Sequence, residues 1–298
     1  MSQSNLWSIA VEALRTLSDE YLPVIDTEEI NQGVDPGGWG LLFSAYTFDP
    51  DFVSASRLRV RNPYTAEKVF EDRLAALASA GLLDSNGFGE YWLSGRGKDA
   101  VAHIMAAAYE RMADLQPLLL ADLERLASLL HRVVQSCMSA PEPPGKWCIG
   151  YSRRSDPGEK ANLIVRIDQY LTDLNAYRDD AHLAAWQTYG FSALTWEILT
   201  LLWRGEANRI DGLLDRLARR GYPGEVYVEV LNDLVERGLA QEDGEIFRLT
   251  QAGLDLRQRA EDTTDRSFFA PWECLSPAEQ EKLRELLIRF QHTLAVGK

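Results

Sequence analysis

The chain has 298 residues, 46% hydrophobic and 26% charged, which is long enough for two domains with their own cores and too apolar for a disordered or collagen-like protein. Lys and Arg total 31 against 45 Asp and Glu, a formal net charge of −14, so bulk attraction to nucleic acid or anionic lipid is excluded and any DNA contact needs a local basic patch. No stretch reaches the roughly 18 apolar residues of a membrane span, and the N-terminus lacks a secretion signal, so a cytoplasmic protein is expected.

In chain order, a first helix is predicted over Leu6 to Tyr21. The glycines of GVDPGGWG, residues 33 to 40, lack the preceding strand that a phosphate-binding or dinucleotide loop requires. Arg57, Arg59 and Arg61 precede a fixed Asn62-Pro63-Tyr64 turn, and Thr65 and Lys68 lie in the first turn of the helix after it. Glu67, Glu71 and Asp72 share that helix and oppose phosphate. Ala80-Gly81-Leu82 ends it, SNGFG (residues 85 to 89) turns a hairpin, and Leu93-Ser94-Gly95-Arg96-Gly97 with Lys98 opens a long helical stretch, Asp99 to Met138.

Residues 139 to 162 are rich in Pro, Gly, Ser and charge, lack helical periodicity, and read as a linker between units at 1–138 and 163–298. The linker carries +1, the flanking units −8 and −7. Helices are predicted over Leu163 to Tyr189, Leu194 to Trp203 and Ile210 to Ala218 from three-and-four spacing. The turn Arg219 to Gly224 leads to a helix over Glu225 to Arg237, capped by Gly238 with positive φ. A hairpin follows, Leu239-Ala240-Gln241 and Ile246 to Leu249 around Asp243-Gly244. Thr250 caps the next helix, and Ser276-Pro277-Ala278-Glu279 is a capping box before the helix at residues 283 to 294.

Shifting the chain by 157 positions superposes its two halves. Leu6, Leu14 and Leu17 fall on Leu163, Leu171 and Leu174; Gly33 falls on Gly190, Trp39 on Trp196, and Gly81-Leu82 on Gly238-Leu239, with no gap from residue 6 to 82. Dropping one residue aligns Leu93 to Gly97 with Leu249 to Gly253. The expected fold class is therefore mainly α with small β-hairpins (α+β), as two tandem winged-helix domains in a pseudo-twofold internal duplication. Helix, helix, turn, helix and two-stranded wing is the winged helix-turn-helix plan.

The phrase from Arg237-Gly238-Leu239 through Phe247-Arg248-Leu249-Thr250 to Gly253, repeated as Gly81-Leu82 through Trp92-Leu93-Ser94 to Gly97, resembles MarR-type regulators. The capping box and terminal helix extend the likeness over most of both halves. Because MarR-type proteins are usually homodimers, the resemblance implies a dimer fused in one chain. The helices at 6–21, 99–138, 163–189 and 276–294 would then form its shared interface, in a monomer acting as a pseudo-dimer or in a homodimer.

That likeness makes a transcription regulator the leading expectation. Double-stranded DNA is then contacted mainly through the first unit, by Arg57, Arg59, Arg61, Thr65, Lys68, Arg96 and Lys98. The second unit offers Arg209, Arg216, Arg219 and Arg220 beside an acidic helix and wing, where they contact phosphate or neutralise carboxylates. The alternative is a winged-helix protein without DNA binding that holds a protein partner or an apolar small molecule; a small-effector pocket would involve Trp186, Trp203, Phe269 and Trp272.

No cofactor, metal site or enzymatic centre is expected. Cys137, Cys148 and Cys274 form no CxxC pair, and the four histidines, His103, His131, His182 and His292, are scattered without zinc spacing. His182, in Arg178-Asp179-Asp180-Ala181-His182, reads as part of a helix-surface ion pair. No nucleophile elbow occurs.

Overall fold

Long amphipathic stripes set the architecture. The structure, a computed structural model, describes residues 3–296; residues 1, 2, 297 and 298 of the two predicted units lie outside them. It is mainly helical, with two small antiparallel hairpins. The first half runs α1 (Gln3–Asn31), α2 (Trp39–Phe48), α3 (Ala55–Arg61), α4 (Glu67–Ser79), β1 (Leu83–Ser85), β2 (Tyr91–Leu93), α5 (Gly95–Ala113) and α6 (Leu120–Ser139). After α7 (Trp147–Ser152), the second half runs α8 (Leu163–Gln187), α9 (Ala193–Arg204), α10 (Ile210–Leu217), α11 (Gly224–Glu236), β3 (Ala240–Asp243), β4 (Ile246–Leu249), α12 (Gln251–Phe269) and α13 (Pro277–Val296).

Shifted by 157 positions, α4 and α6 fall on α11 and α13 residue for residue, and at 156 α5 falls on α12. Packing follows the same order. The helix α1 lies against α5 and α13, α8 lies against α12 and α6, and α1 meets α8. The apolar stripes of these helices, including Leu17, Leu126, Leu130, Leu174, Leu287 and Phe290, are fully buried, so burying one half's first helix requires the other half's last.

The junction from hairpin to helix is built alike in both halves. Ser94 Oγ accepts from Gly97 N at 2.9 Å and donates to Gly81 O at 2.8 Å; Thr250 Oγ1 accepts from Gly253 N at 3.3 Å and donates to Gly238 O at 2.7 Å. Each hydroxyl thus caps the following helix and anchors the end of the preceding one. Gly81 and Gly238 take φ of 73° and 68°, a left-handed turn that glycine adopts without steric cost. Leu83 pairs with Leu93, and Ala240 with Leu249, in the two hairpins.

Three expectations change. The stretch Asp99 to Met138 is two helices, because Pro117 lies between α5 and α6 and proline neither donates a backbone hydrogen bond nor tolerates a helical residue before it. The first helix extends to Asn31 through Pro23, beyond the Tyr21 at which it was expected to stop. The segment 139–162 is not a free linker. Cys148 and Ile149 of α7 are buried, and Asp180 on α8 accepts their backbone N–H groups at 2.7 and 3.0 Å. Asp173 collects Ser152, Arg153 and Gln169 just beyond. A six-residue helix is too short to show periodicity, and its cap lies some 30 residues downstream.

At the α1–α8 contact, Tyr21 Oη donates to Asp168 Oδ1 at 3.1 Å. Burial, opposed by that hydrogen bond, pushes the Asp168 carboxyl up to about 7. A carboxyl whose folded pKa exceeds its unfolded value of 3.8 holds a proton in the fold that the unfolded chain has lost, so its stabilisation is complete below about pH 4 and disappears as pH rises to about 7. Asp168→Asn should therefore be near neutral at pH 4 and stabilising by about 1–3 kcal/mol at pH 8. Urea unfolding at the two pH values checks this; an equal effect at both would count against a protonated Asp168.

Candidate functional site

The arrangement of α3, α4 and the β1–β2 hairpin decides what the predicted DNA residues can do. Ser54 caps α3 by accepting from Arg57 N at 3.3 Å. Arg57 turns inward, donating to Phe52 O with its guanidinium carbon 4.3 Å from the Phe52 ring centroid. Arg61 donates from Nε and Nη2 to Asp179 of α8 at 3.0 and 2.9 Å, and Thr65 is buried, its hydroxyl accepting from Arg220 at 3.3 Å. These three are structural contacts. The other four are engaged as well, Lys68, Arg96 and Lys98 at exposed positions and Arg59 half-buried: Arg59 pairs with Glu67 at 3.1 Å, Lys68 with Asp72, Lys98 with Asp49 at 3.0 Å, and Arg96 donates to Ala80 O. The sequence pattern gathered all seven near α4, but the structure does not form them into one free basic strip.

The two halves also meet where α4 begins. Ala66 N donates to Arg220 O at 2.8 Å, and Gly221, at φ +74°, lies so close that a Cβ there would stand 2.3 Å from Val69 Cγ2. Three residues, Gly221 to Pro223, separate Arg220 from the start of α11, so the N-terminal ends of α4 and α11 lie no more than about 20 Å apart. Helix-turn-helix dimers read half-sites about 34–36 Å apart with those ends. In this arrangement a symmetrical grip on successive major grooves is not available.

The second-half arginines mostly neutralise carboxylates. Arg209 pairs with Glu245, Arg216 with Glu206 at 3.0 Å, and Arg220 Nε with both oxygens of Glu197 at 3.0 Å.

Beside the α4–Arg220 contact opens a cleft of about 360 Å³. Trp7 of α1 and Tyr64 of the α3–α4 turn form part of its wall, with Asn175, Arg178, Asp179 and His182 on α8, Trp196, Glu197, Thr200 and Arg204 on α9, Arg220, and Arg257 and Glu261 on α12. Arg257 is 1% exposed. Its guanidinium lies 4.6 Å from the Trp203 ring and 5.5 Å from Trp196, and donates to Thr200 Oγ1 at 3.1 Å and Glu261 Oε2 at 2.9 Å. Arg178 reaches Glu261 and Asp265 at 2.7 and 2.9 Å. The Arg178–His182 segment therefore makes ion pairs between elements rather than along one helix surface.

Burial lowers the Arg257 pKa despite Glu261. Burial raises Glu197 against the pull of Arg220, whereas at Glu261 the opposing burial is outweighed by Arg257 and Arg178, which hold it below the ordinary range. His182 is pushed down to about 4, first by burial and then by Arg257, Arg178 and Arg204 against Glu261. Near neutral pH it is an uncharged imidazole facing a positive field.

None of the four residues expected to line a pocket lines this cleft. Trp272 is fully buried and Phe269 nearly so, in an aromatic cluster with Phe268 and Trp7. Trp186 stacks on Trp196 at 5.7 Å, and Trp203 lies beneath Arg257. Large rings at helical spacing filled the core first. Of the residues that do line it, Arg257 and Glu261 had no sequence signal beyond their i, i+4 spacing, because their partners are on α8 and α9.

No group of three His, Cys, Asp or Glu among the described residues could hold a metal, and no described helix is long and apolar enough to cross a membrane. Burial pushes the Cys137 and Cys148 thiols up, away from the reactive thiolate.

No curated protein and no solved structure matches the chain. The sequence model of a helix-turn-helix family does match it, over residues 91–297, from β2 through α13, and the chain belongs to that helix-turn-helix family.

Proposed function

We propose that the chain is a cytoplasmic transcription regulator of winged-helix, MarR-like type and not an enzyme, with two tandem units (1–138 and 163–298) around a shared helical interface, so that one polypeptide does the work of a dimer. The observation carrying this reading is the coincidence of α4, α5 and α6 with α11, α12 and α13 at nearly constant spacing, together with the same hydroxyl-capped glycine junction after each hairpin. The family match makes duplex DNA the expected partner.

Contact runs mainly through the first unit, by Arg59, Lys68, Arg96 and Lys98. Ion pairs near the surface contribute about 0–1 kcal/mol and can exchange a carboxylate for a phosphate, whereas Arg57, Arg61 and Thr65 support the fold around them. Fluorescence anisotropy with duplexes from the region upstream of the gene, in about 50 mM salt, should show binding that weakens steeply with added salt. Changing Lys68 and Lys98 together to Ala should weaken it about three- to tenfold on every sequence.

Absence of binding at low salt would select a second reading, a helix-turn-helix protein that holds a protein partner or small molecule instead. A specific observation favours it: the exposed side chains of α4 include Glu67, Glu71 and Asp72 against Lys68 and Arg73, and those of α11 include Glu225, Glu229 and Glu236, with Arg237 just past its end.

A further inference from the structure

The β1–β2 hairpin carries an apolar side chain that the hairpin itself does not need. Phe88 is 90% exposed, more than any other large apolar side chain of the described residues. The second hairpin turns on Asp243-Gly244-Glu245, without an aromatic ring, so neither the turn nor the strand pairing calls for one. Phe88 N donates to Asn86 Oδ1 at 2.8 Å, and Asn86 Nδ2 donates to Glu90 at 2.6 Å. The ring is therefore presented by an ordered loop, and a partner that covers it has little freedom to remove. Aromatic rings are enriched among the residues that protein interfaces bury.

Phe88 also lines a groove of about 350 Å³ between the hairpin, the start of α3 and α4. Leu74 and Tyr91 add apolar wall. Three carboxylates, Glu67, Glu71 and Glu90, share the lining, and no Lys or Arg does. Glu67 pairs with Arg59 and Glu90 accepts from Asn86, but the Glu71 carboxylate makes no hydrogen bond or ion pair with any described residue. Glu67 and Glu71 are four positions apart on α4, a spacing at which like charges repel. Apolar walls with uncompensated negative charge suit a cation on an apolar stem and oppose a phosphate backbone. The duplex contacts proposed above, Arg59, Lys68, Arg96 and Lys98, lie outside the lining of this groove.

We propose that the groove docks an arginine-bearing segment of a partner protein, its guanidinium paired with Glu71 and Glu90 and its apolar neighbours covered by Phe88. Arginine suits it better than lysine, because a planar guanidinium matches carboxylates and stacks on rings such as Phe88 and Tyr91. Docking here does not depend on duplex binding.

Fluorescence anisotropy with the whole protein and a labelled peptide of three Arg-Leu repeats, in about 150 mM salt to screen attraction to the net charge, tests this. The peptide should bind with Kd of about 0.5 mM or tighter, and a peptide of three Glu-Leu repeats at least about tenfold more weakly. Phe88→Ala, at a position too exposed to support the core, should weaken Arg-Leu binding about fivefold or more, and Glu71→Gln about threefold or more. Glu229→Gln, the same charge change at an exposed position of α11, should leave it unchanged. The proposal is overturned if the Arg-Leu peptide does not bind at about 2 mM, if the Glu-Leu peptide binds as well, or if Phe88→Ala binds like the parent. It is overturned equally if Glu229→Gln weakens binding as much as Glu71→Gln, which would mean attraction to the overall charge, or if Phe88→Ala weakens duplex binding and not peptide binding. The peptide assay contains no DNA, so its failure leaves the duplex-binding reading standing, and a failure of duplex binding leaves this one.

Discussion

Gly253→Ala should destabilise the protein by about 3 kcal/mol or more, a fall in Tm of roughly 6–12 °C for a chain of this size. A Cβ at Gly253 would stand 2.1 Å from Leu239 O and 3.1 Å from its carbonyl carbon. Both obstacles are backbone, so no side chain can swing away and α12 has to back off the hairpin. That motion breaks Thr250 N→Leu239 O at 3.0 Å and Thr250 Oγ1→Gly238 O at 2.7 Å, leaving polar groups short of partners. Gly97→Ala should do the same in the first half, where a Cβ would meet Leu82 O at 2.1 Å. The sign is diagnostic, since alanine for glycine within an ordinary exposed helix gains about 1 kcal/mol. Thermal and denaturant unfolding of both variants decide the matter; an unchanged or raised Tm would mean that the two junctions are not packed as described.

Gly221→Val should open the contact between the halves. Valine disfavours the φ of +74°, and its Cβ would stand 2.3 Å from Val69 Cγ2, a combined penalty of about 2–4 kcal/mol. The hydrogen bond from Ala66 N to Arg220 O is lost, and hydrogen exchange at the Ala66 amide should accelerate about tenfold or more. If the closed contact keeps the N-terminal end of α4 from DNA, duplex affinity should rise, because the apparent Kd of a protein scales inversely with its competent fraction. Relieving about 1.4 kcal/mol of that restraint corresponds to tenfold tighter binding. Faster exchange at Ala66 with unchanged duplex affinity would show that the contact does not gate DNA access.

The expected helices and hairpins of the second half lie within one or two residues of α8–α11 and β3–β4, since each carries local signals: three-and-four apolar spacing, Gly238 at the end of α11, the Asp243-Gly244 turn, and Thr250 and Ser276 as caps. The Pro117 break and the helix α7 were missed for different reasons. One is a single proline inside a continuous apolar pattern, and the other is held by carboxylates on α8 that no nearby residue announces. The site was least legible. Arg57, Arg61 and Thr65 have the composition of a DNA-reading face, yet Arg61 is bound to Asp179 and Thr65 to Arg220, partners more than 100 positions away.

Local chemistry, carried by residues within a few positions of one another, determined the helices, the turns and the regular spacing between the halves. Side-chain commitment was decided only when the chain closed on itself. A guanidinium takes its charge partner from whichever element packs against it, so whether Arg220 faces DNA or Glu197, and whether Arg257 is solvated or buried beneath two tryptophans, depends on the packing of α8, α9 and α12.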